Sequence, residues 1–370
     1  MIAFEGVTKL YDGKAAVADL DLVAPTGKLT VLVGPSGCGK TTTLRMVNRL
    51  IKPTSGQITL DGEPTNAMNV SRLRRRIGYV IQHAGLFPHR TVAQNVAATA
   101  RLAGISRGDA RKQAMDLLEK VGLSVDLADR FPWQLSGGQQ QRVGVARALA
   151  ADPKFMLMDE PFSAVDPIVR AQLQDEFLRL QREMGKTIIM VTHDIDEALK
   201  LGDQVAVLRE GGRLAQVASP QELLSRPADG FVADFVGRDR GYRRLDFAAM
   251  GEDLSLAREP VGSLGMAPDE AAAIALDDWL LVTDDDDRPI GWVRPKELRA
   301  PIRDGDLNLS ATLATAGGTM RHLLDAALSS PSGRGVVVEE TGSLRGTIAL
   351  SDLVSHLGQG SVTTLSRASA

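Results

Sequence analysis

The sequence holds one cysteine, Cys38, and only 4% aromatic residues in 370. A single thiol excludes an internal disulfide and any metal cluster built on cysteine pairs, and it is compatible with a reducing compartment. No run approaches the roughly 18 to 20 consecutive apolar residues that a membrane-crossing helix needs. The start, MIAFEGVTKLYDGK, carries an early acid and no signal-peptide layout. A soluble, non-exported chain is therefore expected, and if it serves transport the pore is another polypeptide. An excess of charge of one sign is lacking too, since the formal net charge is -3. That small figure hides an asymmetry: residues 1–244 carry 33 Lys and Arg against 27 Asp and Glu, whereas 245–370 carry 10 against 19. A weak, scattered positive excess in the first part argues against nucleic acid as a partner. What is present, 44% hydrophobic and 24% charged residues, is ordinary globular material for about two domains.

Residues 2–8 and 57–60 alternate apolar and polar in the manner of half-buried strands, while Leu29–Val33, Phe155–Asp159, Thr187–Thr192 and Val205–Leu208 are short apolar runs that read as buried parallel strands. Helical patterns lie between them at 41–50, 107–121, 138–151, 168–184 and 195–201. Strands alternating with helices predict an α/β core. The helix-rich interval from about Ala93 to Ala151 interrupts that alternation and reads as an inserted helical subdomain. A Pro-, Gly- and charge-rich stretch at 227–247 marks a boundary near 240. Beyond it LLVTDDDDRPIGWVRPKEL (280–298) and VVVEETGSLRGTIALSDLV (336–354) repeat one pattern of strand, acidic turn, strand and helix. The expected organisation is a first domain over 1–240, a duplicated domain over 245–357 and a small, polar, frayed tail over 358–370.

The apolar strand ending at Val33 is followed by GPSGCGKT, Gly34 to Thr41, and then at once by a helical run. In a loop of this kind Gly34, Gly37 and Gly39 let backbone amides turn toward phosphate oxygens at a helix N-terminus, Lys40 reaches the terminal phosphates, and the Thr41 hydroxyl can hold Mg²⁺. Pro35, Ser36, Cys38 and Thr42 complete the candidate ATP contacts. FMLMDEP at 155–161 is an apolar strand ending in two carboxylates, which such a strand would not carry without a use. Asp159 is suited to a hydrated Mg²⁺, and Glu160, one residue further along the strand, to work as a general base.

LSGGQQQR at 135–142 narrows the choice. It resembles the signature sequence of ABC ATPases, of the importer branch, because further family stations fall in order over residues 1 to about 225. The resemblance implies that Tyr11 stacks on adenine, that Gln82 touches Mg²⁺ and the lytic water, that Ser163 to Asp166 form the loop after the catalytic strand, and that His193 contacts the γ phosphate. Leu135, Ser136, Gly137, Gly138 and Gln139 then offer a second anion site ahead of a helix, closing on the ATP of a second copy. Taken singly, Tyr11 reads equally as a core aromatic, Gln82 as a loop amide and His193 as a satisfied histidine; their joint occurrence in order decides. The implied architecture is a P-loop ABC ATPase domain with a parallel-sheet core, an antiparallel β subdomain and the helical insertion. HAGLFPHRTVAQNV (83–96) resembles the segment that docks on a permease, with Phe87 and Pro88 as apolar contacts. The basic run Arg72 to Arg76 reads as a solvated helix face.

The duplicated passages resemble paired CBS modules, an α+β tandem. Arg294 and Glu297 stand in the first repeat, and Ala349 in the second, where that family has its ribose-binding Thr and Asp; Asp352 alone is retained. Cassettes with such a tail resemble the glycine betaine, carnitine, choline and proline importers. The resemblance implies an ATPase peripheral to the cytoplasmic face of the membrane, partnered by a permease, a second copy and, through the permease, a solute-binding protein. For the tail, sensing of ionic strength, a regulatory nucleotide and a purely dimerising role stay open, although a net acidic region disfavours attraction to an anionic bilayer. An importer of another solute and a non-transport ATPase or nucleotide sensor are the competing readings.

Overall fold

The computed structural model describes every residue except His83, Ala164, Glu252, Asp253 and 367–370, and the backbone alone of Ile168 and 359–366. The chain divides into two compact units, Met1–Arg238 and Asp239–Ala370.

The first unit opens with β1 (Ile2–Tyr11) and β2 (Lys14–Ala24), antiparallel neighbours. Asp12 and Gly13 between them both take positive φ, 48° and 77°, the two-residue turn that an Asp-Gly pair favours. Next come β3 (Leu29–Val33), α1 (Lys40–Val47), β4 (Ser55–Leu60), β5 (Glu63–Pro64), α2 (Val70–Arg75) and β6 (Ile77–Val80). A helical stretch follows, α3 (Val92–Leu102), α4 (Arg107–Lys120) and α5 (Gly137–Leu149). The chain then alternates through β7 (Phe155–Asp159), α6 (Pro167–Met184), β8 (Thr187–Thr192), α7 (Ile195–Leu201), β9 (Gln204–Arg209), β10 (Arg213–Ala218), α8 (Pro220–Ser225) and α9 (Gly230–Val236).

Two sheets result: a four-stranded antiparallel one ordered β2-β1-β4-β5, and a six-stranded one ordered β10-β9-β3-β8-β7-β6, parallel except for β10. All side chains of β3, β7 and β8 are buried, because both faces of the sheet are covered. Leu32, Phe155, Leu157, Ile189 and Val191 pack with Ile2, Phe4 and Leu20 of the antiparallel sheet. Their alternates Val31, Met156, Met158, Ile188 and Met190 pack against the helical side with Val96, Val143 and Leu173. The carboxyl ends of β3, β8 and β7 therefore lie side by side, with β6 next to β7, and the loops that carry Gly34–Thr41, His193, Glu160 and Gln82 leave from these four strands.

The structure corrects several local expectations. Helix α1 stops at Val47 rather than 50, since Asn48 caps it and Arg49 takes a φ of 50°. Helix α5 begins at Gly137. Strand β6 was not read from the sequence, being only four residues long, and α3 was read only as part of the helix-rich interval. The Arg72 to Arg76 run is only partly a solvated face: Arg74 donates to the carbonyls of Asn48 and Arg49, and Arg76 pairs with Glu63 at 2.8 Å.

The second unit contains α10 (Arg240–Arg243), β11 (Val261–Ser263), α11 (Pro268–Ile274), β12 (Leu280–Thr283), β13 (Pro289–Val293), β14 (Leu313–Thr315), α12 (Met320–Ser329), β15 (Arg334–Val338), β16 (Leu344–Ala349) and α13 (Leu350–Ser366). Its two sheets, β11-β12-β13 and β14-β15-β16, each join one parallel and one antiparallel pair. The duplication is thus longer than the two passages read from sequence: each copy begins one strand and one helix earlier. The first copy closes on a single 3₁₀ turn, Pro295–Glu297, instead of the expected helix, and Pro301 soon after restricts the residue before it to extended backbone. The last helix runs on to Ser366, well into the stretch expected to fray.

Candidate functional site

The loop after β3 is shaped by space as much as by conformation. A Cβ on Gly34 would lie 2.3 Å from the Leu208 carbonyl oxygen, and one on Gly39, whose φ is 90°, 2.1 Å from the Ala16 carbonyl oxygen. Gly37, at φ 81°, faces open space. Ser36 and Gly37 are exposed, Pro35 half-buried and Cys38 buried. Lys40 opens α1 and is 6% exposed. Its Nζ donates to the carbonyls of Gly34 at 2.8 Å and Pro35 at 3.0 Å, and approaches Cys38 Sγ at 3.6 Å. The hydrogen-bond partners of the ammonium are two carbonyls and a thiol, none of them a carboxylate, so its charge is available to an anion in the cradle. Thr42 continues the helix, half-buried.

Next to the loop, Thr41 Oγ1 donates to Asp159 Oδ1 at 2.9 Å. Burial holds the Asp159 carboxyl above its usual range, opposed by that hydrogen bond and by Arg45. A hydroxyl and a buried carboxylate oxygen side by side supply two of the hard oxygen donors that Mg²⁺ prefers. The residues present therefore fit the ion.

Strand β7 ends at Asp159, and Glu160 is not a strand residue as expected: its φ is 45°, a left-handed conformation unusual for a side-chain-bearing residue. Its N–H donates to the Val191 carbonyl at 3.0 Å, and its own carbonyl accepts from the Ser163 hydroxyl at 2.9 Å. This turn aims the carboxylate between two other predicted residues. Gln82 Nε2 donates to Oε2 at 3.0 Å, and His193 Nδ1 lies 3.2 Å from Oε1. The histidine side chain is 58% exposed and the carboxylate 20%, so the group opens to solvent on one side. Glu160, Gln82 and His193, separated by up to 111 positions, meet around one carboxylate. Asp166 lies exposed just before α6, accepting at its carbonyl from the Arg170 N–H at 2.7 Å. Ala164, within the same predicted loop, and His83, first residue of the predicted docking segment, lie outside the described residues.

Tyr11 is 46% exposed at the end of β1, with Lys9 Nζ 4.9 Å from its ring centre. Its cross-strand partner is Lys14, two residues from the Ala16 carbonyl that limits Gly39. The hairpin carrying the aromatic thus runs directly past the phosphate loop.

The signature residues form a separate surface. Leu135 is buried, while Ser136 and Gly137 are exposed. Ser136 is the N-cap of α5: its hydroxyl accepts from the Gln139 N–H, and Gln139 Oε1 accepts from the Ser136 N–H at 3.0 Å. A cleft of about 430 Å³ beside it is lined by Ser136, Gly138, Gln139, Arg130 and Arg142. Neither arginine was named as a candidate from the sequence, although Arg142 closes LSGGQQQR; it donates to the Gly122 carbonyl at 2.7 Å and pairs with Glu176 at 3.4 Å. Phe87 of the predicted docking segment is 41% exposed. It lines a groove of about 770 Å³ with Arg90, Arg101, Leu102, Arg107 and Arg147, and Arg90 stacks 4.6 Å from its ring centre.

A phosphate loop, an adjoining hydroxyl–carboxylate pair and a solvent-facing carboxylate braced by an amide and an imidazole define a P-loop nucleotide hydrolase. Comparison with known proteins sharpens this. The family profile described as ABC transporter matches residues 17–163. The osmoprotectant import ATP-binding protein OsmV of Salmonella typhimurium is 42% identical over 97% of each chain. The glycine betaine/carnitine/choline transport ATP-binding protein OpuCA of Bacillus subtilis is 50% identical over 65% of this chain and 63% of its own, so that alignment spans less than two thirds of that relative. Among solved structures, a dimeric ATP-binding cassette in a post-hydrolysis state with ADP and Pi bound is 33% identical, with a TM-score of 0.54, over 60% of this chain and 99% of that one. The chain belongs to the ATP-binding proteins of ABC transporters and is an ATPase of that family.

Proposed function

We propose that this ATPase drives a membrane permease that imports compatible solutes, quaternary ammonium compounds such as glycine betaine, choline and carnitine together with proline, working as a dimer that closes on two ATP molecules. The observation that carries the hydrolytic part is the Glu160 carboxylate held between Gln82 and His193. A water in front of it is oriented by the Gln82 amide and gives its proton to Glu160, while His193, on the exposed side, is placed to donate to the departing phosphate. Lys40 and the loop amides bind the β and γ phosphates, and Tyr11 stacks on the base. Mg²⁺, held by Thr41, Asp159 and Gln82, would supply neutralisation of phosphate charge.

The signature surface on α5 faces away from these groups in role: its hydroxyl and helix N-terminus suit the γ phosphate of a second copy's ATP. Dimeric cassettes among the related structures support this reading. The groove beside Phe87 suits the permease, which would hold the protein at the cytoplasmic face of the membrane; among the described residues no helix is long and apolar enough to cross one. The solute class rests on the relatives named for osmoprotectant import.

The second unit we read as a pair of CBS modules that regulate the cassette. Its duplicated β-α-β-β halves support this. Asp352, exposed in the first turn of α13, is the retained ribose-binding candidate, whereas Arg294 and Glu297 of the first copy pair with each other at 2.9 Å. The deciding experiment is ATPase activity of the chain with its permease in lipid vesicles, with and without binding protein and betaine or choline, across ionic strength. Stimulation by a quaternary amine supports both coupling and solute class. Basal hydrolysis unmoved by any of them removes the solute assignment.

A further inference from the structure

Glu197 lies on α7, four residues past His193, and is 6% exposed. Gln174 Nε2 of α6 donates to its Oε1 at 3.1 Å, and Gln174 is itself 7% exposed. The Thr192 hydroxyl at the end of β8 also bonds its carboxylate. That same hydroxyl oxygen accepts from the Asp194 N–H at 3.1 Å, so it spans the turn on which His193 sits. Arg170 supplies opposite charge to Glu197, and its Nη2 donates to the Val165 carbonyl at 3.0 Å in the loop that follows Glu160. The bonds close a ring: Glu160 to Ser163, the loop at Val165 to Arg170, α6 to Glu197, Glu197 to Thr192, and His193 back to Glu160.

We propose that Glu197 is a positioning residue for hydrolysis, locking the Thr192–Asp194 turn to α6 so that His193 and the loop at Val165 and Asp166 hold one register about Glu160. This rests on the reading of Glu160 and His193 as the hydrolytic pair. The physical case is that a buried carboxylate is costly where a leucine would pack at no polar cost. Burial pushes the Glu197 carboxyl up, and the Nε of Arg170 is buried without a partner among the described residues, an unmet donor that costs stability. A junction retained at that cost is set by geometry at the turn rather than by packing. Removing it leaves the phosphate loop untouched, because neither Glu197 nor its partners contact Gly34 to Thr42 in any hydrogen bond described above.

The test is a steady-state comparison of Glu197→Ala, Glu197→Gln and Thr192→Val in the full chain, with nucleotide affinity measured by titration of a fluorescent ATP analogue. Glu197→Ala is expected to lower kcat about 10- to 100-fold with KM for ATP and analogue affinity within about twofold. Glu197→Gln, which keeps one carbonyl oxygen for Gln174 and presents its NH2 to the Thr192 hydroxyl oxygen, should recover part of that loss. Thr192→Val, which keeps the shape and removes the bridging hydroxyl, should match Glu197→Ala, and the double variant should be no worse than either alone. Should Glu197→Ala fold poorly, Thr192→Val alone decides. A kcat within twofold of wild type for Thr192→Val, additive losses in the double variant, or a parallel fall in kcat and affinity would overturn the proposal. Failure of the underlying reading has a different signature: Glu160→Gln would then retain hydrolysis.

Discussion

Two buried or half-buried glutamates show how differently the two units use charge. Glu259 in the tail is 5% exposed and fully answered: Arg334 Nη2 lies 2.9 Å from one oxygen and the Thr347 hydroxyl donates to the other at 2.7 Å. Arg334, whose guanidinium also stacks 5.0 Å from the Trp292 ring centre, ties together strands from both copies of the duplication. Glu160 in the cassette has a neutral amide on one side, an exposed imidazole on the other and a left-handed backbone. A compensated carboxylate fixes architecture. One left with spare charge, a strained backbone and an open face fits the hydrolytic role proposed above.

That contrast is sharpest where its two members are broken. Glu160→Gln should lower hydrolysis about 10²- to 10⁴-fold while preserving ATP binding, and size-exclusion chromatography in ATP should show a dimer; a variant that stays monomeric counts against the two-copy mechanism. Lys40→Ala removes the charged donor of the phosphate loop and should weaken ATP binding by about 10- to 100-fold, the worth of a hydrogen bond to a charged group, read by fluorescent-nucleotide titration. Arg334→Met strands Glu259 in the interior. The tail should lose about 3–5 kcal/mol, seen as an early calorimetric transition, while basal ATPase activity stays near wild type.

Smaller effects follow. Because burial raises the Asp159 carboxyl, the native state binds its proton more tightly than the unfolded chain does. At neutral pH this group therefore costs stability, and the cost fades as pH falls through the raised value toward the ordinary carboxylate one. Asp159→Asn, which keeps an acceptor for Thr41, is expected to stabilise the nucleotide-free protein on the order of 1 kcal/mol and to flatten that pH dependence in thermal melts. Deletion of 239–370 should change basal hydrolysis by less than about twofold, since the cassette has its own core; loss of hydrolysis would refute the division at Arg238.

Much of the cassette was legible because its chemistry is local. GPSGCGKT, LSGGQQQR and the strand ending in Asp159 each declare a backbone shape within a few residues, and the buried runs of β3, β7 and β8 fixed the parallel core. What could not be read is what depends on partners far away in sequence. The convergence of Gln82 and His193 on Glu160 came from resemblance alone, and the Glu160 turn looked like one more strand residue because φ leaves no trace in residue type unless it is glycine. Glu197 was invisible for a related reason: an acid on an amphipathic helix reads as solvated until Gln174 and Thr192 are found beside it. In the tail, β11 and β14 are three residues long and polar at one end, too short for a period to show, so the duplication was seen only from its second strand onward.

The close approach of Gly39 to the Ala16 carbonyl carries one more consequence. A Cβ there would collide at 2.1 Å, so the phosphate loop is moulded directly on the hairpin that ends in Tyr11. On the reading proposed above, in which Tyr11 meets the base and the loop the phosphates, the two ends of the nucleotide would rest on one mechanical piece. Displacing the hairpin must deform the loop, so a disturbance at the aromatic end is transmitted to the loop.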